Sequence, residues 1–187
     1  MSPGSEGRHV HRLPGDPLHP DAVSRMIRVD HAGEYGATRI YDGQLAVLGR
    51  SRAVGAVHEM AEQEKRHLAV FEQLIATRRV RPTVLTPLWH VAGFVLGAAT
   101  AFMGERAAMA CTVAVEEVID EHYRCQAEAL GDSEPELRAT VEAFRADELA
   151  HRATALAHGA RDVLGYELLS SAVKAGSRLA IWLSTRI

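Results

Sequence analysis

The sequence predicts an all-α protein built from four long helices in two antiparallel hairpins. Three observations carry that prediction. Alternating runs flanked by tight-turn dipeptides, the mark of strands, are nearly absent from the 187 residues. Ala, Leu and Arg are frequent and aromatics make up only 5 %, which favours helices. Glycines and prolines fall where they cut the chain into long helical stretches.

The elements follow in order. A first helix is expected from Asp21, after Pro20, to about Leu48, with Gly49 at its end. A second is expected from near Ser51 to about Arg79. Pro82 and Pro87 then interrupt the chain. An uncharged run of 23 residues, Pro82 to Gly104, follows. The third long helix fits Glu105 to Leu130 and stops at Gly131. Ser133, with Glu136 three residues on, has capping-box spacing and opens a fourth helix that reaches about Val163. A last amphipathic helix fits Tyr166 to Thr185. Four helices with one long connection, between the second and third, make a ferritin-like four-helix bundle. It carries a long apolar crossover helix and a C-terminal amphipathic helix. Residues 1–20 contain four Pro and read as a flexible tail without a signal peptide. Residues 21–187 read as a single domain.

The uncharged run matches a membrane span in length, but its composition argues against a full span. After Pro87 it leaves about 16 helical residues, roughly 24 Å, short of the ~30 Å hydrocarbon core. His90 lies inside it. Gly93 and Gly97 have the spacing of close helix packing. The run therefore reads as a buried or half-inserted helix. The terminal helix puts Val173, Leu179, Ala180 and Leu183 on one face, with Trp182 at its edge. Lys174 and Arg178 on that helix can reach a headgroup layer. Two such helices point to attachment at a membrane surface.

Composition excludes other classes. A formal net charge of −3 leaves no footprint for nucleic acid. Cys111 and Cys125 are 14 residues apart; on one helix that is about 21 Å, too far for a disulfide.

One constellation carries chemistry. Glu64-x-x-His67 and Glu148-x-x-His151 repeat on the second and fourth long helices. Glu34 on the first helix precedes Glu64 by 30 residues; Glu116 or Glu117 on the third precedes Glu148 by about as many. The halves thus repeat as Glu, then Glu-x-x-His, the pattern that builds di-iron sites from facing helices. Helix faces can be read at i±3, i±4 and i±7. Met60, Ala61, Leu68 and Phe71 share the face of Glu64. Met109, Val113, Ile119 and Tyr123 share that of Glu116, which points inward, whereas Glu117 faces solvent or the site's edge. Arg145 and Arg152 flank Glu148, so that face is the most mixed. Four buried carboxylates need compensation, and two divalent ions bring it. Carboxylate oxygens with one imidazole per metal suit iron. Asp30, Asp120 and Asp147 are candidate acceptors for the outer nitrogens of the histidines. Tyr41 and Trp89 read as core residues.

The segments MIRVDHAGEYGATRIY, VLGR, RVRPTVLTPLWHVAGFVLGAATAFMGERAAMACTVAVEE and AIWLSTRI closely resemble the demethoxyubiquinone hydroxylases of ubiquinone biosynthesis. The resemblance runs from about Ala22 to Ile187. It implies a di-iron monooxygenase that hydroxylates the benzoquinone ring of a polyprenylated precursor, the penultimate step to ubiquinone. It implies Glu34, Glu64, His67, Glu116, Glu148 and His151 as ligands of two iron ions, with O₂ as co-substrate. Electrons would come from NADH or a reductase; no Gly-rich nucleotide fingerprint is present. A His122–Tyr123 pair near the metals is implied for electron or proton transfer. The quinone tail is expected in an apolar groove near residues 85–103. The resemblance also implies a peripheral membrane protein on the cytoplasmic face of a bacterial inner membrane, or on the matrix face of a mitochondrial one. A lipid-binding partner of ubiquinone synthesis and a homo-oligomer are compatible with it. The same six ligands also fit a ferritin-like iron-oxidising or peroxide-scavenging protein, which needs no lipid-facing helices.

Overall fold

A computed structural model describes residues 18–187 of the chain. They form α1 (Pro20–Leu48), α2 (Val54–Arg78), α3 (Thr86–Phe102), α4 (Glu105–Leu130), α5 (Pro135–Ala157) and α6 (Tyr166–Ser184). A 3-10 turn spans Ala160–Asp162, and there is no strand among the described residues. Of the expected tail, residues 1–17 lie outside the described residues.

Local chemistry sets the boundaries. Pro20 occupies the first turn of α1, and the His19 imidazole accepts from the Asp21 amide at 3.3 Å. Gly49 ends α1 at φ 57°. α2 begins at Val54 rather than Ser51, because the Ser51 amide donates to the Leu48 carbonyl and stays in the turn. Ser133 does not cap α5. Its hydroxyl donates to the Leu130 carbonyl at 2.6 Å and so closes α4 instead. α5 starts at Pro135 and ends at Ala157, short of Val163, where Gly159 turns the chain at φ 77°.

The two halves of the bundle share one plan. α2 packs on α1 and α5 on α4; then α3 lies along α1, and α6 along α4. The architecture is all-helical and ferritin-like. Helix α4 is the centre: every residue from Ala107 to Val115 is buried. Its alanines let neighbours approach on all sides. Buried side chains form one apolar layer around Tyr41, Val57, Met109 and Val113, and another around Ile27, Phe71, Leu137 and Val141. By helix position, residues 34, 64, 67, 116, 148 and 151 fall between these two layers.

α3 has no charged side chain and packs on α1 through glycine. A Cβ at Gly97 would overlap the Ile40 carbonyl, and one at Gly93 would lie 2.9 Å from the Gly36 oxygen. From the α1 side, a Cβ at Gly43 would overlap the Phe94 carbonyl. The opposite face of α3 exposes Leu88, Val91, Val95 and Phe102; α6 likewise exposes Leu168, Leu179 and Trp182. No helix is long and apolar enough to cross a membrane among the described residues. Lys174 and Arg178 each have an acidic partner. Lys174 pairs with Glu117, and Arg178 with Glu121 at 3.1 Å, both on α4.

The Gly97→Ala variant therefore forces α1 and α3 apart. It should lose about 1–3 kcal/mol, lowering the melting temperature by roughly 2–10 °C. Gly55, with open space at its Cβ, is the control: Gly55→Ala should gain about 0.5–1 kcal/mol. Thermal unfolding followed by circular dichroism reads both.

Candidate metal centre

Each of α1, α2, α4 and α5 points its ligand-type side chains into the bundle interior. Glu34, Glu64, Glu116 and Glu148 are 1–3 % exposed, and His67 and His151 are 2–3 % exposed. Two groups form within this set. Glu34, Glu64, His67 and Glu148 offer ligand atoms all within 4.8 Å of one another; Glu64, Glu116, Glu148 and His151 do the same. Glu64 and Glu148 belong to both groups, so their two oxygens can serve two centres. Glu148 Oε1 lies 3.2 Å from His67 Nδ1, and Glu148 Oε2 lies 3.1 Å from His151 Nδ1. One oxygen of Glu148 thus faces each imidazole.

The histidines are held from behind. His67 Nε2 donates to Asp147 Oδ2 at 3.0 Å, and His151 Nε2 to Gln63 Oε1 at 3.2 Å. Each outer nitrogen is thus held from behind, which aims Nδ1 of both rings at the carboxylates. Phe144 stacks on the His67 ring at a centroid distance of 3.9 Å and fixes its plane. Two tyrosines hold carboxylates from the apolar layers. Tyr41 donates its hydroxyl to Glu116 Oε1 at 3.0 Å, and Tyr123 donates to Glu34 Oε1.

The electrostatics of this protein-only pocket are one-sided. Burial first, then the neighbouring carboxylates, pushes Glu64 and Glu116 well above the ordinary carboxylate range. Burial also raises Glu34, against its hydrogen bond with His67. Burial would raise Glu148 too, but hydrogen bonds from His151 and His67 bring it down to about 2. The His67 imidazole would fall on burial, yet its bonds to Glu148 and Glu34 carry it up to about 10. Protons and one imidazolium thus do the compensating work that cations do better. Glu34 Oε2, Glu64 Oε1 and His67 Nδ1 are buried with only long or poorly aligned contacts: His67 Nδ1 lies 3.5 Å from Glu34 Oε2 and 3.2 Å from Glu148 Oε1, and Glu64 Oε1 lies 3.1 Å from His151 Nδ1. Orphaned atoms of this kind, pointing at one another in a pocket of carboxylate and imidazole, fit a pair of hard or borderline divalent ions.

The predicted His122–Tyr123 pair divides. Tyr123 reaches Glu34, whereas His122 Nε2 pairs with Asp30 Oδ1 at 3.0 Å. Gln126 donates to the other Asp30 oxygen at 2.6 Å. Of the three aspartates offered by the sequence, Asp147 alone backs a ligand-type histidine; Asp120 pairs with Arg145 at 2.5 Å. Arg152 leans to Glu117 at 3.4 Å. The two arginines beside Glu148 therefore leave the interior and bridge α5 to α4.

Beside the centre lies an apolar cavity of about 320 Å³ between α1, α3, α4 and α6. Small residues of α1, Ala32, Gly33, Gly36 and Ala37, form its floor, and Val115 and Ile119 reach it from either side of Glu116. Trp89 and Leu96 of α3 and Leu179 and Ile181 of α6 wall it.

Comparison with known proteins bears on this arrangement. A family model described as ubiquinone biosynthesis protein COQ7 matches residues 21–184. The chain belongs to that family. A Rhodospirillum rubrum relative, 3-demethoxyubiquinol 3-hydroxylase, is 58 % identical over 94 % of this chain and 84 % of its own. A human relative, NADPH-dependent 3-demethoxyubiquinone 3-hydroxylase, mitochondrial, is 52 % identical over 89 % of this chain and 78 % of its own. The Saccharomyces cerevisiae relative, 5-demethoxyubiquinone hydroxylase, mitochondrial, is 40 % identical over 88 % of this chain and 78 % of its own.

Sequence reasoning missed two positioning residues in this family member. Tyr41 is core, as expected, and also holds Glu116; its place two turns from Glu34 on the same face was the available signal for that second role. Gln63 had no signal; it adjoins Glu64 in the chain, and only the approach of α5 shows what it holds.

Two outcomes test the centre. Glu148 spans both groups, so Glu148→Ala should drop iron from two per chain to near zero, read by elemental analysis; a variant that keeps one iron would show that Glu148 does not bridge. Metal must also displace the proton of the His67 imidazolium, and it competes with the protons that burial favours on Glu64 and Glu116. Anaerobic Fe(II) titration in weak buffer should therefore release protons, and affinity should rise with pH up to about 10, where His67 loses its own.

Proposed function

We infer that this COQ7 family member hydroxylates the benzoquinone ring of a demethoxyubiquinone, using O₂ and two iron ions. In this reading Glu34 and His67 serve one iron, Glu116 and His151 the other, and Glu64 and Glu148 serve both. The observation that carries it is the juxtaposition of two ligand groups with an apolar cavity walled by α3 and α6. The iron-oxidising or peroxide-scavenging alternative leaves that cavity without an occupant.

The chemistry that two irons supply when bound is activation of dioxygen, one oxygen atom passing to the ring and the other to water. The protein's own residues do the rest. Small α1 residues let a flat ring lie against the helix beside Glu34. Val115 and Ile119 exclude water on the Glu116 side, which strengthens every polar interaction within. Burial and the nearby carboxylates raise the phenols of Tyr41 and Tyr123 well above their usual range. Both tyrosines therefore stay protonated at neutral pH and donate, holding one oxygen of Glu116 and of Glu34. Tyr123 is the group placed to exchange a proton with Glu34, while His122 is held apart by Asp30. Electrons would come from a reduced nicotinamide or a reductase. The names of the human and several other relatives include NADPH, which favours a nicotinamide source.

The exposed apolar faces of α3 and α6 support residence at a membrane surface, where a polyprenyl tail can leave the cavity into lipid. Residues 21–187 act in this reading as one domain. A bacterial cytoplasmic face or a mitochondrial matrix face would serve equally well. A lipid-binding partner and a second copy of the chain are compatible additions.

The test is direct. Iron-loaded protein, demethoxyubiquinone, O₂ and a reductant should yield a quinone heavier by one oxygen on the ring, read by mass spectrometry; iron oxidation without that product would overturn the proposal. The cavity gives a second test. A Cβ at Gly36 meets nothing within 4 Å, so Gly36→Leu should fold and load iron yet lose about tenfold or more in kcat/KM.

A further inference from the structure

Arg25 and Arg28 of α1 and Arg186 beyond α6 line a second cavity of about 560 Å³, with Asp21, Ser24 and Thr185. Among the described residues Asp21 is the one acid in its wall. The ion pairs among the described residues engage other cations. Arg28 spends one donor on the Arg81 carbonyl at 2.7 Å, which draws the segment before α3 to the same end of the bundle. The cavity is therefore a concave cationic site, at the point where α1 begins, α6 ends and the chain enters α3.

An uncharged surface adjoins it. Val84, Leu88, Trp182 and Ile187 are 48–55 % exposed. Trp89 Nε1 donates to Ser184 Oγ at 3.0 Å and pins the start of α3 to the end of α6. The Arg186 guanidinium lies 4.1 Å over the Trp182 ring, so a cation and an interfacial aromatic form one unit. Elsewhere on α6 the cations Lys174 and Arg178 are paired with acids of α4. The uncompensated positive charge on this face is thus gathered at one end.

We propose that the Arg25–Arg28–Arg186 cavity binds the phosphate of an anionic phospholipid. The acyl chains then lie along the apolar faces of α3 and α6, and the bound phosphate fixes which end of those helices meets the headgroup layer. The inference rests on the membrane-surface reading above and adds to it a lipid class and a direction. The match is one of charge and polarity together: a soluble phosphate would use the arginines and leave Leu88 and Trp182 in water. The chain's own first 17 residues do not match, because Arg8 and Arg12 balance Glu6 and Asp16.

The test compares the full iron-loaded chain with its Arg25→Gln/Arg186→Gln variant by vesicle flotation. Vesicles of phosphatidylcholine alone are set against vesicles containing phosphatidylglycerol. The unmodified chain should bind the anionic vesicles more tightly. The variant should lose roughly fivefold per arginine there, about 25-fold in all, with unchanged melting temperature and unchanged binding to neutral vesicles. Equal binding of both proteins to anionic vesicles overturns the proposal. So does a variant that loses NADH affinity but keeps vesicle binding, since the cavity would then serve a soluble phosphate. An unmodified chain that binds both vesicle types equally sinks the lipid-phosphate site alone; one that binds neither also sinks the membrane-surface reading.

Discussion

Four carboxylates in the middle of an apolar bundle are the constraint to which the rest of the structure answers. Glu34, Glu64, Glu116 and Glu148 sit between two hydrophobic layers, where an unpaired carboxylate is costly. Burial drives three of them toward the protonated form, and Glu148 and Glu34 hold His67 as a cation against its own burial. Every neighbour of the centre then reads as a response. Tyr41 and Tyr123 donate to carboxylate oxygens, and Asp147 and Gln63 fix the outer faces of the two imidazoles. What is left facing inward is a set of lone pairs that divalent cations satisfy better than protons do.

The halves of the chain solve this problem twice. Each half runs as a carboxylate helix, a Glu-x-x-His helix and a shorter helix laid back on the first. The third members, α3 and α6, contribute no residue to the metal groups. Their contribution is the wall of the apolar cavity. The glycine contacts of α3 on α1 bring that wall within reach of the centre, because only hydrogen at Gly97 and Gly43 lets the two backbones approach so closely. The same repeat that supplies two sets of ligands thus also supplies two sides of a substrate cleft.

Charges outside the core divide the surface by role. Acids of α4, Glu117, Asp120 and Glu121, meet Arg152, Arg145, Lys174 and Arg178 from α5 and α6. This seam neutralises the flank of the bundle and takes Arg145 and Arg152 away from Glu148. Pairs exposed in this way contribute little each; their effect is on where cations are free. Among the described residues the arginines around the start of α1 have no such partners, so the field of this face is concentrated beside Trp182.

The sequence by itself determined the helices, their order and the six ligand-type residues. Helical periodicity and the spacing of charged residues are local, and a buried carboxylate on an apolar face stands out in a single chain. Even the choice of Glu116 over Glu117 followed from i±3 and i±4 neighbours, and Glu117 now pairs with Arg152 and Lys174 at the edge. Ser133 shows where local signals mislead: its hydroxyl had two helix ends within reach and took the Leu130 carbonyl. Only the tertiary structure decided which carboxylates are shared, that Asp147 rather than Asp30 or Asp120 backs His67, and that Gln63 holds His151. It also separated His122 from Tyr123, adjacent in sequence but about 100° apart around the helix, so that one reaches Asp30 and the other Glu34. These pairings span 80 residues or more, and no local pattern encodes a distance of that kind; it is set by how four helices settle around one buried cluster of charge.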